Sequence, residues 1–224
     1  MPGRKIVLAT DQVYHLFNRG NSFQPTFLNA FDYRRFLKTI NFYRFAPHSA
    51  KLFQFLEFSG KRRKEYFDDL KKKTKELVSI FSFCLMPNHY HLLVRQEVEN
   101  GISKFMSQLQ NSYTKYFNLK RKKAGSLFQG HFKAVRAETD EQLIYLSRYI
   151  HLNPYSSYVV KLINNLEAYP WSSLPDYLGE GKHFFVKKKP ILDLFKNKKD
   201  YQKFVFDQAD YQRELEKIKH LTWE

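Results

Sequence analysis

Apolar and polar side chains alternate along residues 12–20, QVYHLFNRG, and the run stops at a glycine, the pattern of a half-buried strand. Over 29–45 the period changes. Tyr33, Phe36, Leu37, Ile40 and Tyr43 recur every three or four residues, so a helix follows the strand. The stretch 48–76 interrupts this pattern with the dense charge of KRRKEYFDDLKKKTKE and reads as an inserted helical excursion. Its charges fit a solvated face better than a dedicated DNA arm. Leu77 to Leu85 is apolar, Met86-Pro87-Asn88 makes a turn, and His89 to Arg95 alternates again, which predicts a hairpin. From Gly101 to Lys120 a second helix carries Ile102, Phe105, Met106, Leu109, Tyr113, Tyr116 and Phe117 on one stripe, and the polar run RKKAG at 121–125 ends it. Phe132 to Arg136 is a fourth strand. Thr139 to Ile150 is a third helix with Thr139 or Asp140 as its cap, and Pro154 disfavours helical backbone at Asn153.

The order β-α-β-β-α-β-α predicts a ferredoxin-like α+β fold, an antiparallel sheet with helices on one face. Beyond Tyr155 lie a Pro/Gly-containing stretch at 169–181 and a charged helix over about 199–219, so a C-terminal helical extension is expected. The boundaries are one domain over 8–178, with the insertion at 48–76, and the extension over 179–224.

Composition narrows the function. The chain has 224 residues, 43% of them apolar, with 22 Phe, 15 Tyr and 2 Trp, enough for one sizeable core. Lys and Arg number 38 against 22 Asp and Glu, a net charge of +16 that favours a polyanionic partner, with nucleic acid ahead of an anionic membrane surface. The apolar stretches are too short and too often broken by charge to span a membrane, and the N-terminus lacks the long apolar run of a secretory signal. One cysteine, Cys84, excludes an internal disulfide and a multi-cysteine zinc site; it fits inert core in a reducing cytoplasm.

Two segments carry candidate chemistry. In Pro87-Asn88-His89-Tyr90-His91 the histidines are two apart on a strand, so both imidazoles face one way and can share a metal ion. Two imidazoles underfill a metal sphere, and a third ligand or waters must complete it. The competing reading is a pair of ordinary histidines on a wet sheet face. In Tyr145-Leu146-Ser147-Arg148-Tyr149-Ile150-His151-Leu152-Asn153-Pro154, residues Tyr145, Tyr149 and Asn153 fall on one helix face if the last turn persists to the proline. A tyrosine with a pKa near ~10 becomes a nucleophile only with a base or cation beside it, and most of the 15 tyrosines must be packing residues.

PNHYHLLV and SRYIHLNP, with YHLFNRG before them, GSLFQGHFKAV between them and YPWSS after them, resemble the single-tyrosine HUH transposases, in particular the REP-associated tyrosine transposase group. The resemblance spans about residues 12–175, five motifs in order. One departure is Tyr90, which stands where the family has a bulky apolar residue. The resemblance implies an HUH endonuclease fold and a metal-dependent enzyme that nicks and rejoins single-stranded DNA, often hairpin DNA. His89 and His91 map onto the family's metal-binding histidines, Tyr149 onto its nucleophile and Asn153 onto its third ligand. The implied cofactor is Mg²⁺ or Mn²⁺, the intermediate a 5′-phosphotyrosine with a free 3′-OH, and the location the cytoplasm, with the nucleoid. The subunit arrangement, monomer or homodimer, stays open.

Arg19 and Arg95 can meet phosphates or be plain surface charges. Lys115, Lys120, Arg121, Lys122 and Lys123 form a basic cluster at the end of the second helix, a stripe suited to tracking a DNA backbone. Phe128, His131 and Lys133 lie in the LFQGHFKAV motif, Lys133 suited to DNA and the aromatics to packing. His151 is an alternative ligand that on a helix points away from Tyr149. A non-catalytic RNA- or DNA-binding module on an RRM-like sheet is the rival reading. It has no need of His89, His91 and Tyr149 together. Replication initiators and relaxases share the chemistry but usually carry further ligands or a second domain.

Overall fold

A computed structural model describes residues 6–221, with side chains to residue 216. Four strands, β1 (Val13–Arg19), β2 (Val78–Met86), β3 (His89–Gln96) and β4 (Lys133–Ala137), form one sheet in the order β2-β3-β1-β4, every pair antiparallel. Helix α1 (Ala30–Tyr43) crosses from β1 toward β2, and α4 (Gly101–Arg121) from β3 to β4. Between α1 and β2 the charged excursion forms α2 (Leu52–Glu57) and α3 (Gly60–Lys73). This is the ferredoxin-like topology the element order predicts.

Alternation along the strands divides the side chains between two faces. Tyr14, Leu16, Tyr90, Leu92 and Val94 point to the face covered by α1 and α4, where Phe36 and Phe128 pack on the Tyr90 ring and Tyr113 packs on both phenylalanines. The apolar stripe of α4 is buried there, and each large side chain removed from water contributes roughly 1.5–3 kcal/mol. Helices on one face alone do not complete the structure. Helix α5 (Asp140–Ser156) lies across the opposite face, against β2 and β3, with Ser147 bonded to Ser82 across the interface. That face carries His15, Phe17, His89, His91 and Leu93. It needs a cover because several of these are buried.

Pro154 does not stop α5. The helix continues to Ser156 because its last turn is buried, with Leu152, Asn153, Tyr155 and Ser156 all packed inside. That packing outweighs the one hydrogen bond a proline deletes. Beyond it, α6 (Leu174–Leu178), α7 (Lys189–Leu192), α8 (Lys198–Phe206) and α9 (Ala209–Leu221) wrap back onto the core, to which Ile191, Tyr201, Val205 and Ala209 contribute buried side chains. The single charged helix expected over 199–219 is thus two, α8 and α9. Arg213 of α9 donates to the carbonyls of Tyr155 and Val160 at 2.9 and 3.1 Å and stacks 3.3 Å from the Tyr155 ring centre. The YPWSS motif blunts the outer edge of β2. Leu85 N–H donates to Trp171 O at 2.8 Å, and Ser173 N–H to Phe83 O at 3.0 Å. Cys84 is fully buried, and burial pushes its thiol well up.

His151 leaves the site side of α5 and is fully buried between Tyr201 and Ser173, at 2.7 and 2.8 Å. Burial pushes its pKa down to about 3. An unfolded histidine takes a proton near ~6.5, so below that pH the unfolded chain binds the extra proton, and stability falls as pH drops toward 3. The slope is about 1.4 kcal/mol per pH unit for one such group. Urea unfolding at pH 7 and pH 5 should therefore show a clearly lower midpoint at pH 5, and His151→Gln should shrink the difference. An identical midpoint at both pH values contradicts a neutral buried His151.

Candidate active site

The C-terminal end of β1, the N-terminal end of β3 and the C-terminal half of α5 meet at a cavity of about 490 Å³. His89 and His91 enter it from β3, and Tyr149 and Asn153, four residues apart on α5, enter it from above. The His91 ring centre lies 5.0 Å from that of His89 and 5.6 Å from that of Tyr149. His89 Nε2 is 3.2 Å from Asn153 Oδ1. Tyr145 leaves the group: it is 44% exposed and stacks on Phe204 of α8.

His91 is buried, while His89 is half-buried at the cavity wall. Burial pushes the His89 pKa down to about 4, so the ring is neutral at pH 7. Its Nδ1 is 2.7 Å from Asn88 Oδ1, to which a neutral ring donates its one N–H. The Nε2 lone pair then faces the Asn153 oxygen, two acceptors 3.2 Å apart. A cation between them reconciles the pair, and so does a rotated Asn153 amide. No group of three His, Cys, Asp or Glu among the described residues could hold a metal by itself. The donor set on offer, two imidazoles and an amide oxygen, fits a divalent cation that takes its remaining ligands from water or phosphate.

Among the residues that escaped the sequence reading, His15 lies behind the cavity against His91, and Phe23 and Glu216 line it. His15, on β1 beside His91, places Nε2 2.8 Å from His91 Nδ1, and burial pushes its pKa down to about 4. Its signal was present in YHLF, because residue 15 faces the same side as residue 17, but the pairing of β1 with β3 was needed to see which histidine it meets. Phe23 stands at the cavity wall on the loop after β1. Glu216 of α9 completes the wall, and no sequence pattern reveals that docking.

The basic residues divide. Arg19 lines the cavity, and Lys133 lies opposite Phe17 on the same sheet face. Arg95 sits at the far end of β3 and pairs with Glu97 at 2.9 Å. Lys115 lines a separate groove between α1, α2 and α4, and His131 is exposed on its loop while Phe128 is core. Lys120 and Arg121 bond the fully buried carboxylate of Asp32, which also accepts from Tyr116 at 2.9 Å. Lys122 and Lys123 stay exposed at the helix end.

Residues 55–153 match the family described as "Transposase IS200 like". No curated protein matches the chain. Among solved structures it is similar to one described as "Structure of the REP associates tyrosine transposase bound to a REP hairpin". The TM-score is 0.48 at 10% identity, covering 84% of this chain and 92% of that one.

The basic cluster thus has a stabilising half and a free half. Replacing Lys120 and Arg121 by Ser leaves a buried carboxylate without its cations and should lower stability by roughly 3 kcal/mol. Lys122→Ser with Lys123→Ser should change it by less than about 0.5 kcal/mol. Urea titration of the two double variants checks this, and equal stabilities contradict the role given to Asp32.

Proposed function

Residues 55–153 belong to the IS200-like transposase family, and on that premise we propose that this protein cuts and rejoins single-stranded or hairpin DNA with Tyr149 as the nucleophile. The observation that carries the reading is the convergence of His89, His91, Tyr149 and Asn153, from two distant segments, in one cavity. Plain nucleic-acid binding has no use for such a set.

In the reaction, the Tyr149 oxygen attacks the scissile phosphorus and loses its proton to solvent, while the bond to the 3′ oxygen breaks and that oxygen takes up a proton. The products are a 5′-phosphotyrosine and a 3′-OH. Attack by another 3′-OH reverses the chemistry and rejoins the strand, since the phosphotyrosine bond conserves the phosphodiester. His89, His91 and Asn153 would hold Mg²⁺ or Mn²⁺, which supplies polarisation of the scissile phosphate and stabilisation of charge on the leaving oxygen. His15 is a positioning residue. For His91 to offer the Nε2 lone pair, its proton must sit on Nδ1, and His15 Nε2 is the acceptor that keeps it there. The net charge of +16 supplies attraction for the strand, with Arg19 at the cavity and Lys122 and Lys123 on the exposed helix end.

Two experiments test this reading. A labelled hairpin oligonucleotide incubated with Mn²⁺ should give a covalent adduct with the wild type and none with Tyr149→Phe, which should still bind the DNA. An adduct from the Phe variant moves the nucleophile elsewhere. His15→Ala should lower adduct formation about 10- to 100-fold and recover in part as Mn²⁺ is raised, because an outer partner tunes ligand affinity. Activity of His15→Ala that is unresponsive to Mn²⁺ removes the positioning role.

A further inference from the structure

The loop that follows β1 holds an aromatic ring where folding alone gives no reason to put one. Ser22 and Phe23 are consecutive non-glycine residues in left-handed backbone, with φ of 49° and 58°. Left-handed backbone is unfavourable for a bulky side chain, and Phe23 regains nothing by burial, since 66% of it is exposed. The loop is nevertheless firmly fixed. Gly20 N–H donates to Asn88 O at 2.7 Å, Asn21 N–H to Leu127 O at 2.9 Å, and Thr26 N–H to Pro87 O at 2.8 Å. Any Cβ on Gly20 would stand 2.1 Å from the Gln24 carbonyl oxygen, so only glycine closes this turn. The Gly20 and Thr26 bonds tie the loop to the 87–88 turn, which delivers His89.

Phe23 and Arg19 line the cavity that holds Tyr149, and the Arg19 guanidinium lies 4.9 Å from the Phe23 ring centre. An exposed ring with a guanidinium over one face, at a site for a phosphodiester, matches one nucleotide: the opposite face takes the base and the guanidinium takes a phosphate. Resting on the DNA reading above, we propose that Phe23 and Arg19 form a nucleotide subsite that stacks the base adjoining the scissile phosphate. Stacking of this kind accepts any base, because every base offers a π face. The subsite therefore fixes the strand's position without reading its sequence.

The test uses a hairpin oligonucleotide with an unpaired dT arm carrying a single 2-aminopurine, moved one position at a time along the arm. All measurements are made in the Tyr149→Phe background, so that chemistry plays no part. One position should show fluorescence quenching on binding. Phe23→Asn and Phe23→Gly both suit the left-handed backbone and should abolish that quenching and weaken binding about tenfold. Phe23→Tyr, which keeps the ring, should retain both. Quenching and affinity unchanged in Phe23→Asn overturn the subsite and leave the nuclease reading standing, as does disagreement between the Asn and Gly variants. Failure of the Tyr149→Phe parent to bind any of these oligonucleotides overturns both.

Discussion

The parity of β3 governs the rest of the molecule. This strand runs between β1 and β2 with both its faces covered, so successive side chains serve different masters. Tyr90 belongs to the core, where its hydroxyl accepts from Gln110 at 2.9 Å, while His89 and His91 on either side of it belong to the cavity. A slip of one residue would drive two imidazoles into the hydrophobic core and a phenol into the site. The core therefore holds the register of the site, and Tyr90, standing between the histidines, is the anchor of that register. Helix α5 must cross the opposite face at the height of His91, and its docking on α8 and α9 fixes that height.

What could be read in advance was local. The strand at 13–19, the hairpin at 78–96, the two crossover helices and the i, i+2 histidines all declare themselves by period. The pairing of Tyr149 with Asn153 follows from helical spacing once the helix survives its proline. What escaped was set by tertiary contact. Nothing in the local pattern around Pro154 reports that the last turn of α5 is buried. His15 meets His91 only through the β1–β3 register, and Glu216 reaches the cavity only because α9 lies along α5. The basic run at 120–123 showed the same limit: a buried Asp32 some ninety residues earlier claims half of it.

The electrostatics of the protein are accordingly layered. The chain is strongly cationic as a whole, yet the cavity is lined by two imidazoles, three amides, a phenol and one carboxylate, with Arg19 as its cation. Long-range attraction and local chemistry are thus assigned to different residues. The surface charge draws a polyanion without being spent at the reacting centre, and burial keeps the imidazole lone pairs available.

The excursion between α1 and β2 begins and ends at one place. Phe45 pairs with Glu76 in a single antiparallel bridge, Leu77 N–H donates to Arg44 O at 2.7 Å, and the Arg44 side chain is ion-paired with Glu76. Leu52 and Phe55 of the excursion pack with Phe42, at the end of α1, in a small core separate from the main one. Lengthening a segment whose ends are already joined costs little additional closure entropy, since the cost grows only with the logarithm of length. Residues 46–75 are thus a graft point: a tight turn, or a whole foreign domain with neighbouring termini, can replace them while the strands that frame the cavity keep their places.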